Sequence, residues 1–183
     1  YDEHARVIYA SFKNISRILK IKYPEGNVIG AYGEIYKPGI QAVGNNLFCY
    51  QHACKLSTSG HIYLFNNNSC HPDCSPEIIV AKEPLGENEK LTATWTYECP
   101  VAPLSTIHSG NFQPNGMGTT GGNVIELPGG HFFSSLCSPY GTLFIVNKDK
   151  QIVWRAQAER WNPSESRYTD YPQYRASIIQ GQE

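Results

Sequence analysis

The sequence predicts an all-β fold, and three observations carry the prediction. Gln51-His-Ala-Cys-Lys-Leu-Ser-Thr-Ser-Gly-His61 aligns without a gap on Gly121-Gly-Asn-Val-Ile-Glu-Leu-Pro-Gly-Gly-His131. Each copy is followed by an apolar strand, a chain reversal and further strands. The strands themselves are short, rich in β-branched and aromatic residues and bounded by turn residues. A tandem unit of roughly 40 to 50 residues with four short strands reads as a β-propeller blade.

The elements follow in order. The first unit offers Arg6 to Phe12, Ser16 to Ile21 and Gly26 to Tyr32 as strands. The second runs Gln51 to Leu56, His61 to Phe65, Glu77 to Ala81 and Leu91 to Tyr97. The third supplies Gly122 to Leu127, His131 to Leu136, Thr142 to Val146 and Gln151 to Arg155, with Asn147 to Lys150 as a polar turn. Blade 1 is therefore expected over about 1–35, blade 2 over 47–99 and blade 3 over 119–158. The first unit is one strand short, and Tyr174 to Ile179 reads as the innermost strand of a fourth, a closing or next inner strand over 172–180. The polar stretches Pro100 to Thr120 and Glu159 to Pro172 are expected as long loops.

About three four-stranded antiparallel blades that end out of phase should not close a ring, because a repeat array must cap or join its end faces. The remaining blades are expected from the same precursor or from a second chain. A start at Tyr1 instead of methionine fits a processed product or a piece of a longer polypeptide.

Composition agrees with a folded β-protein: 183 residues, 40% hydrophobic, 12% aromatic and 17% charged, enough apolar matter for an ordinary core. A formal charge of -1 gives no electrostatic reason to expect nucleic acid or an anionic membrane as partner. No apolar run approaches the roughly 18 residues of a spanning helix, so no membrane span is expected.

Six cysteines point to an oxidising compartment, extracellular or periplasmic. Cys70 and Cys74 are spaced for a small bridge across a polar loop, and Cys49, Cys54, Cys99 and Cys137 are the other disulfide candidates. Zinc is the rival use, with His52, Cys54, Cys70, His71 and Cys74 as suitable ligands, but their spacing lacks a paired C-x-x-C framework and no metal is assigned. Asn14-Ile-Ser16 and Asn67-Asn-Ser69 are glycosylation sequons.

Phe48-Cys-Tyr-Gln-His-Ala-Cys-Lys-Leu56, Gly60-His-Ile-Tyr-Leu-Phe-Asn-Asn67, Thr94-Trp-Thr-Tyr97 and Tyr174-Arg-Ala176 together resemble the C-terminal half of the arylsulfotransferase family. The resemblance covers nearly the whole chain, and its weight lies in the order and spacing of short motifs. It implies a secreted, six-bladed propeller that moves a sulfuryl group between phenols without a nucleotide donor or other cofactor. Chemically this resembles phosphoryl transfer, where positioning and cationic stabilisation of the equatorial oxygens do most of the work.

By that resemblance His52 is a catalytic oxyanion or leaving-group ligand, with Gln51 beside it in the substrate site. His108 is the candidate for the transient nucleophile, and Arg175 is a candidate substrate-binding cation. Strand alternation then expects Tyr50 and Cys54 on the face of His52, and Gly122 at the equivalent place in the next unit. The family's arginine has no counterpart, because the chain reads Asn66-Asn-Asn-Ser-Cys-His-Pro-Asp-Cys74 where it would stand. The alternative reading is therefore a non-catalytic secreted scaffold or binding module strengthened by disulfides. His61 and His131, which share one repeat position, are expected to mark the start of a strand. Tyr63, Phe65, Trp95, Tyr97, Phe144 and Trp154 are expected to pack between blades.

Overall fold

The computed structural model describes residues 2–34, 47–70, 74–84, 90–100, 121–137, 142–170 and 175–178. They are all-β apart from one turn of 3-10 helix at Lys13–Ile15. The chain forms two compact units, Tyr1–Val101 with Gln113–Met117, and Ala102–Phe112 with Gly118–Glu183.

Unit 1 holds two antiparallel sheets in which each strand pairs with the next. The three-stranded sheet contains β1 (Val7–Phe12), β2 (Arg17–Lys22) and β3 (Val28–Gly33); the four-stranded sheet contains β4 (His52–Leu56), β5 (Ile62–Asn66), β6 (Glu77–Lys82) and β7 (Thr92–Glu98). Ile18 of the first sheet and Ile62, Leu64, Ile79 and Ala81 of the second form one buried cluster closed by Phe48. Burying each large apolar side chain contributes about 1.5–3 kcal/mol, so this seam is a main source of stability in the unit. Gly33 at its edge has no substitute. It lies at φ +93, and a Cβ there would collide with the Ser16 carbonyl and meet the Phe48 ring at 2.8 Å.

Unit 2 repeats the four-stranded meander with β8 (Asn123–Leu127), β9 (His131–Ser135), β10 (Thr142–Val146) and β11 (Ile152–Gln157). Val124, Phe144 and Val146 are fully buried in it. The expected turn at Asn147 forms: its backbone N–H donates to Gln151 O at 3.0 Å, and its Oδ1 accepts from Gln151 N at 2.9 Å. Trp154 leans on Phe133, with ring centroids 6.5 Å apart, but stays 45% exposed on the edge strand and so departs from a packed role.

The first hairpins of the two four-stranded sheets correspond as the repeat predicts. Ser57 N–H donates to His61 O at 2.7 Å, and Leu127 stands opposite His131 at the equivalent place. Both histidines close a turn. His61 Nδ1 lies 3.0 Å from Ser59 Oγ, and His131 Nδ1 lies 3.3 Å from the Pro128 carbonyl oxygen.

Two expectations about the course of the chain also differ from the structure. Within 159–172, read as a loop, β12 (Glu159–Asn162) and β13 (Arg167–Asp170) make a hairpin. Its strands are polar on alternate and adjacent positions alike, so the apolar periodicity that reveals a strand is missing. Asn162 Oδ1 fixes the turn by accepting from Ser164 N–H at 3.1 Å and Ser164 Oγ at 2.6 Å. Residues 175–178, inside the expected innermost strand, carry no strand; Ala176 O instead accepts from Asn123 Nδ2 at 2.8 Å. Tyr174, Ile179 and residues 101–120 lie outside the described residues.

Candidate functional site

The resemblance directs attention to the start of β4, and the local structure there is set by one buried amide. Gln51 is 1% exposed, and its Nε2 faces Ser11 Oγ at 3.0 Å, Arg17 O at 3.2 Å and Phe12 O at 3.4 Å. All three acceptors belong to the β1–β2 hairpin end. Gln51 thus ties the second sheet to the first. Tyr50 adds to the same joint: its N–H donates to the buried Ser16 Oγ at 2.9 Å, and Lys13 Nζ sits 5.9 Å from its ring centroid.

His52 follows, half-buried, opposite Phe65. Simple alternation fails beyond it. Ala53 takes φ 50, and β4 carries a bulge in which His52 pairs with Phe65 and Lys55 with Tyr63, leaving Ala53 and Cys54 together against Leu64. Residues directly opposite share a face of the sheet. His52 therefore lies with Phe65 and Lys55, while Cys54 packs with Leu56 against the apolar cluster. The expected sharing of one face by His52 and Cys54 is corrected by this extra residue. The unbulged β8 pairs Asn123 with Ser135, the counterpart of Phe65, so Asn123 and not Gly122 occupies the place of His52.

Asn66 ends β5, and Asn67 follows it. Asn66 Oδ1 accepts the backbone N–H of Cys49 at 3.0 Å and of Asn68 at 3.1 Å, which holds the open end of the β4–β5 hairpin together. Asn67 is fully buried, and neither atom of its amide has a hydrogen-bond partner among the described residues; the same is true of Gln51 Oε1. Burial also removes Asn67 from the glycan acceptors of the folded chain, whereas Asn14 is exposed.

The six cysteines are thiols in this structure. Cys54 is pushed up to about 12 by burial, and fully buried Cys99 is raised well above the ordinary thiol value for the same reason. Cys49 and Cys70 meet: Cys70 N–H points at Cys49 Sγ at 3.0 Å, and the two side chains hydrogen-bond. Burial, then the Cys70 thiol, pushes Cys49 up to about 12. Cys70 is also raised by burial. Among the described residues no three His, Cys, Asp or Glu side chains converge as a metal would require, and His71 and Asp73 lie outside them.

A carboxylate cluster that the sequence did not announce joins the same two sheets from the far end of β6. Glu83 accepts from Tyr9 Oη at 2.8 Å, Tyr32 Oη at 2.5 Å and Lys20 Nζ at 3.0 Å. Burial works to raise its carboxyl, but the hydrogen bonds from Tyr32, Lys20 and Tyr9 together hold it below the usual value. Its partners lie 51 to 74 residues away in sequence, so no local motif could have shown it.

Of the residues assigned by resemblance, Gln51 and His52 are adjacent in unit 1. Arg175 belongs to unit 2, exposed and next to the Ala176 carbonyl held by Asn123. His108 lies outside the described residues.

No protein-family profile and no curated protein matches the chain. Among solved structures it is similar to a protein of unknown function from Bacteroides caccae, at 12% identity and a TM-score of 0.40, with 82% of this chain covered. The chain spans 39% of that protein's length.

Proposed function

We propose that the chain is part of a secreted β-propeller in which an arylsulfotransferase-like frame serves as a binding or assembly module. It holds a sulfate-like anion near His52 and transfers the sulfuryl group weakly or not at all. The observation that carries this reading is the role of Gln51. The residue that the resemblance assigns to substrate is buried, and its amide donates to the β1–β2 hairpin end, so it joins two sheets. The half-buried imidazole of His52 and the ammonium of Lys13 near Tyr50 are among the groups of this region suited to an anion. An oxidising compartment, and completion of a ring by further blades of the precursor or by a second chain, belong to the same proposal. The even number of cysteines in the sequence and the blade-like sheets are what support them.

The rival is PAPS-independent aryl-sulfate sulfotransfer, with His108 as nucleophile and His52 and Arg175 on the sulfuryl oxygens. One experiment separates the two. Sulfate binding by calorimetry, and transfer from p-nitrophenyl sulfate to a phenol, are measured on the longest available chain and on His52→Ala. The expected result is background transfer in both proteins and sulfate affinity at least about tenfold weaker in the variant, a loss of about 1.4 kcal/mol. Robust turnover abolished by the substitution would establish the enzyme reading, and sulfate binding unaffected by it would take His52 out of the site.

A further inference from the structure

We propose that Cys49 and Cys70 form a thiol–disulfide modification site that locks the open end of the β4–β5 hairpin. The assignment stands on position. Cys49 precedes β4 and Cys70 follows β5, and the chain between them is already paired: Asn68 N–H donates to Cys49 O at 3.2 Å, and Asn66 Oδ1 accepts from Cys49 N–H. Cys70 N–H donates to Cys49 Sγ at 3.0 Å. Asn66 and Asn68 fix the backbone of Cys49, and the two thiols lie within hydrogen-bond reach of each other, so they are neighbours placed for a bridge. Sequence spacing instead favoured Cys70 with Cys74, four residues on. The hairpin, and not the local loop, brings Cys49 to Cys70.

The chemistry is an exchange with an external disulfide, such as oxidised glutathione or a disulfide oxidoreductase. Cys70 is the less buried of the two, and its thiolate attacks one sulfur of the oxidant, releasing one thiolate and leaving a mixed disulfide. Cys49, after losing its proton to solvent, attacks Cys70 Sγ and expels the second thiolate. Two protein thiols are oxidised and one external disulfide is reduced to two thiols, so atoms and electrons balance. The deep placement of Cys49 makes the second step slow at neutral pH, since little thiolate is present, and faster as pH rises.

The product is a cross-link at the joint where Ser16, Tyr50 and Gln51 connect the two sheets. It constrains the unfolded chain over the loop from 49 to 70. This proposal is independent of whether the protein transfers sulfuryl groups.

The test is peptide mapping of the native protein after equilibration in a glutathione redox buffer and thiol blocking. Chymotrypsin cutting at Tyr50 and Asp-N cutting at Asp73 separate Cys49 from Cys54 and Cys70 from Cys74. The expected product is a Cys49–Cys70 linked peptide, retained in Cys74→Ala and formed more rapidly at higher pH. Reductant should lower the melting temperature of wild type and of Cys74→Ala but leave Cys70→Ser unmoved. A Cys70–Cys74 peptide, or recovery of both Cys49 and Cys70 as blocked thiols under oxidising buffer, would overturn the assignment. Wild-type mapping decides the matter even if a variant fails to fold.

Discussion

Glu83 shows how much one side chain can hold when it meets three donors. The carboxylate bridges β1, β2 and β3 to the end of β6 through Tyr9, Lys20 and Tyr32. Removing its charge leaves the two phenols and the ammonium short of an acceptor, and hydrogen bonds to charged groups contribute about 1.5–3 kcal/mol. Glu83→Gln is therefore expected to lose stability of that order at neutral pH. The folded carboxyl titrates below its ordinary value of 4.5, so its contribution is present above that value and disappears as pH falls through the lowered one. Tyr9 and Tyr32 are shifted the opposite way, first by burial and then by the bond to Glu83. Their contribution as donors is complete below pH 10 and is lost only as pH rises through the raised values. Urea midpoints of wild type and Glu83→Gln, compared from about pH 8 down to about pH 3, should converge on the acid side. A gap that persists unchanged to the lowest pH would show that the carboxylate contributes nothing through its charge.

At the scale of elements, the β4 bulge separates what the sequence makes equivalent from what the structure makes equivalent. The repeat was legible because the turns at Ser57–His61 and Leu127–His131 superpose in sequence, and the strands beyond them are short runs rich in β-branched and aromatic residues bounded by turn residues. The bulge was not legible, since an extra residue in a strand leaves no gap when the alignment is anchored on the turn and the mismatch falls at the strand's far end. Ala53 carries the consequence at φ 50, a conformation that costs a non-glycine residue about 1–2 kcal/mol. A β-branched side chain suffers more there. Ala53→Val is therefore expected to destabilise by more than about 1 kcal/mol, although valine is the better strand former and Val124 sits fully buried in the unbulged β8. Chemical denaturation of the variant measures this. A neutral or stabilising valine would mean that β4 alternates regularly and that His52 shares its face with Cys54 after all.

At the scale of the molecule, the all-β class and the four-stranded sheets were open to sequence reasoning because repeated apolar strands report themselves. The polar β12–β13 hairpin was not, because only Trp161 and Tyr168, paired edge to face at 5.3 Å, give it any apolar character. Those rings, 49% and 60% exposed, stand with Trp154 in unit 2. Unit 1 has Trp95, half-buried and stacked on Tyr97 at 6.1 Å. The three tryptophans of the chain thus divide by unit as well as by exposure. Trp95→Phe leaves two solvent-facing indoles and should give red-shifted emission that acrylamide quenches strongly. The double variant Trp154→Phe/Trp161→Phe leaves one shielded indole, bluer in emission and more weakly quenched. Equal quenching constants in the two proteins would contradict the exposures. With the expected contrast, intrinsic fluorescence becomes a pair of optical labels, one for each unit, through which the opening of either can be timed without attaching a dye.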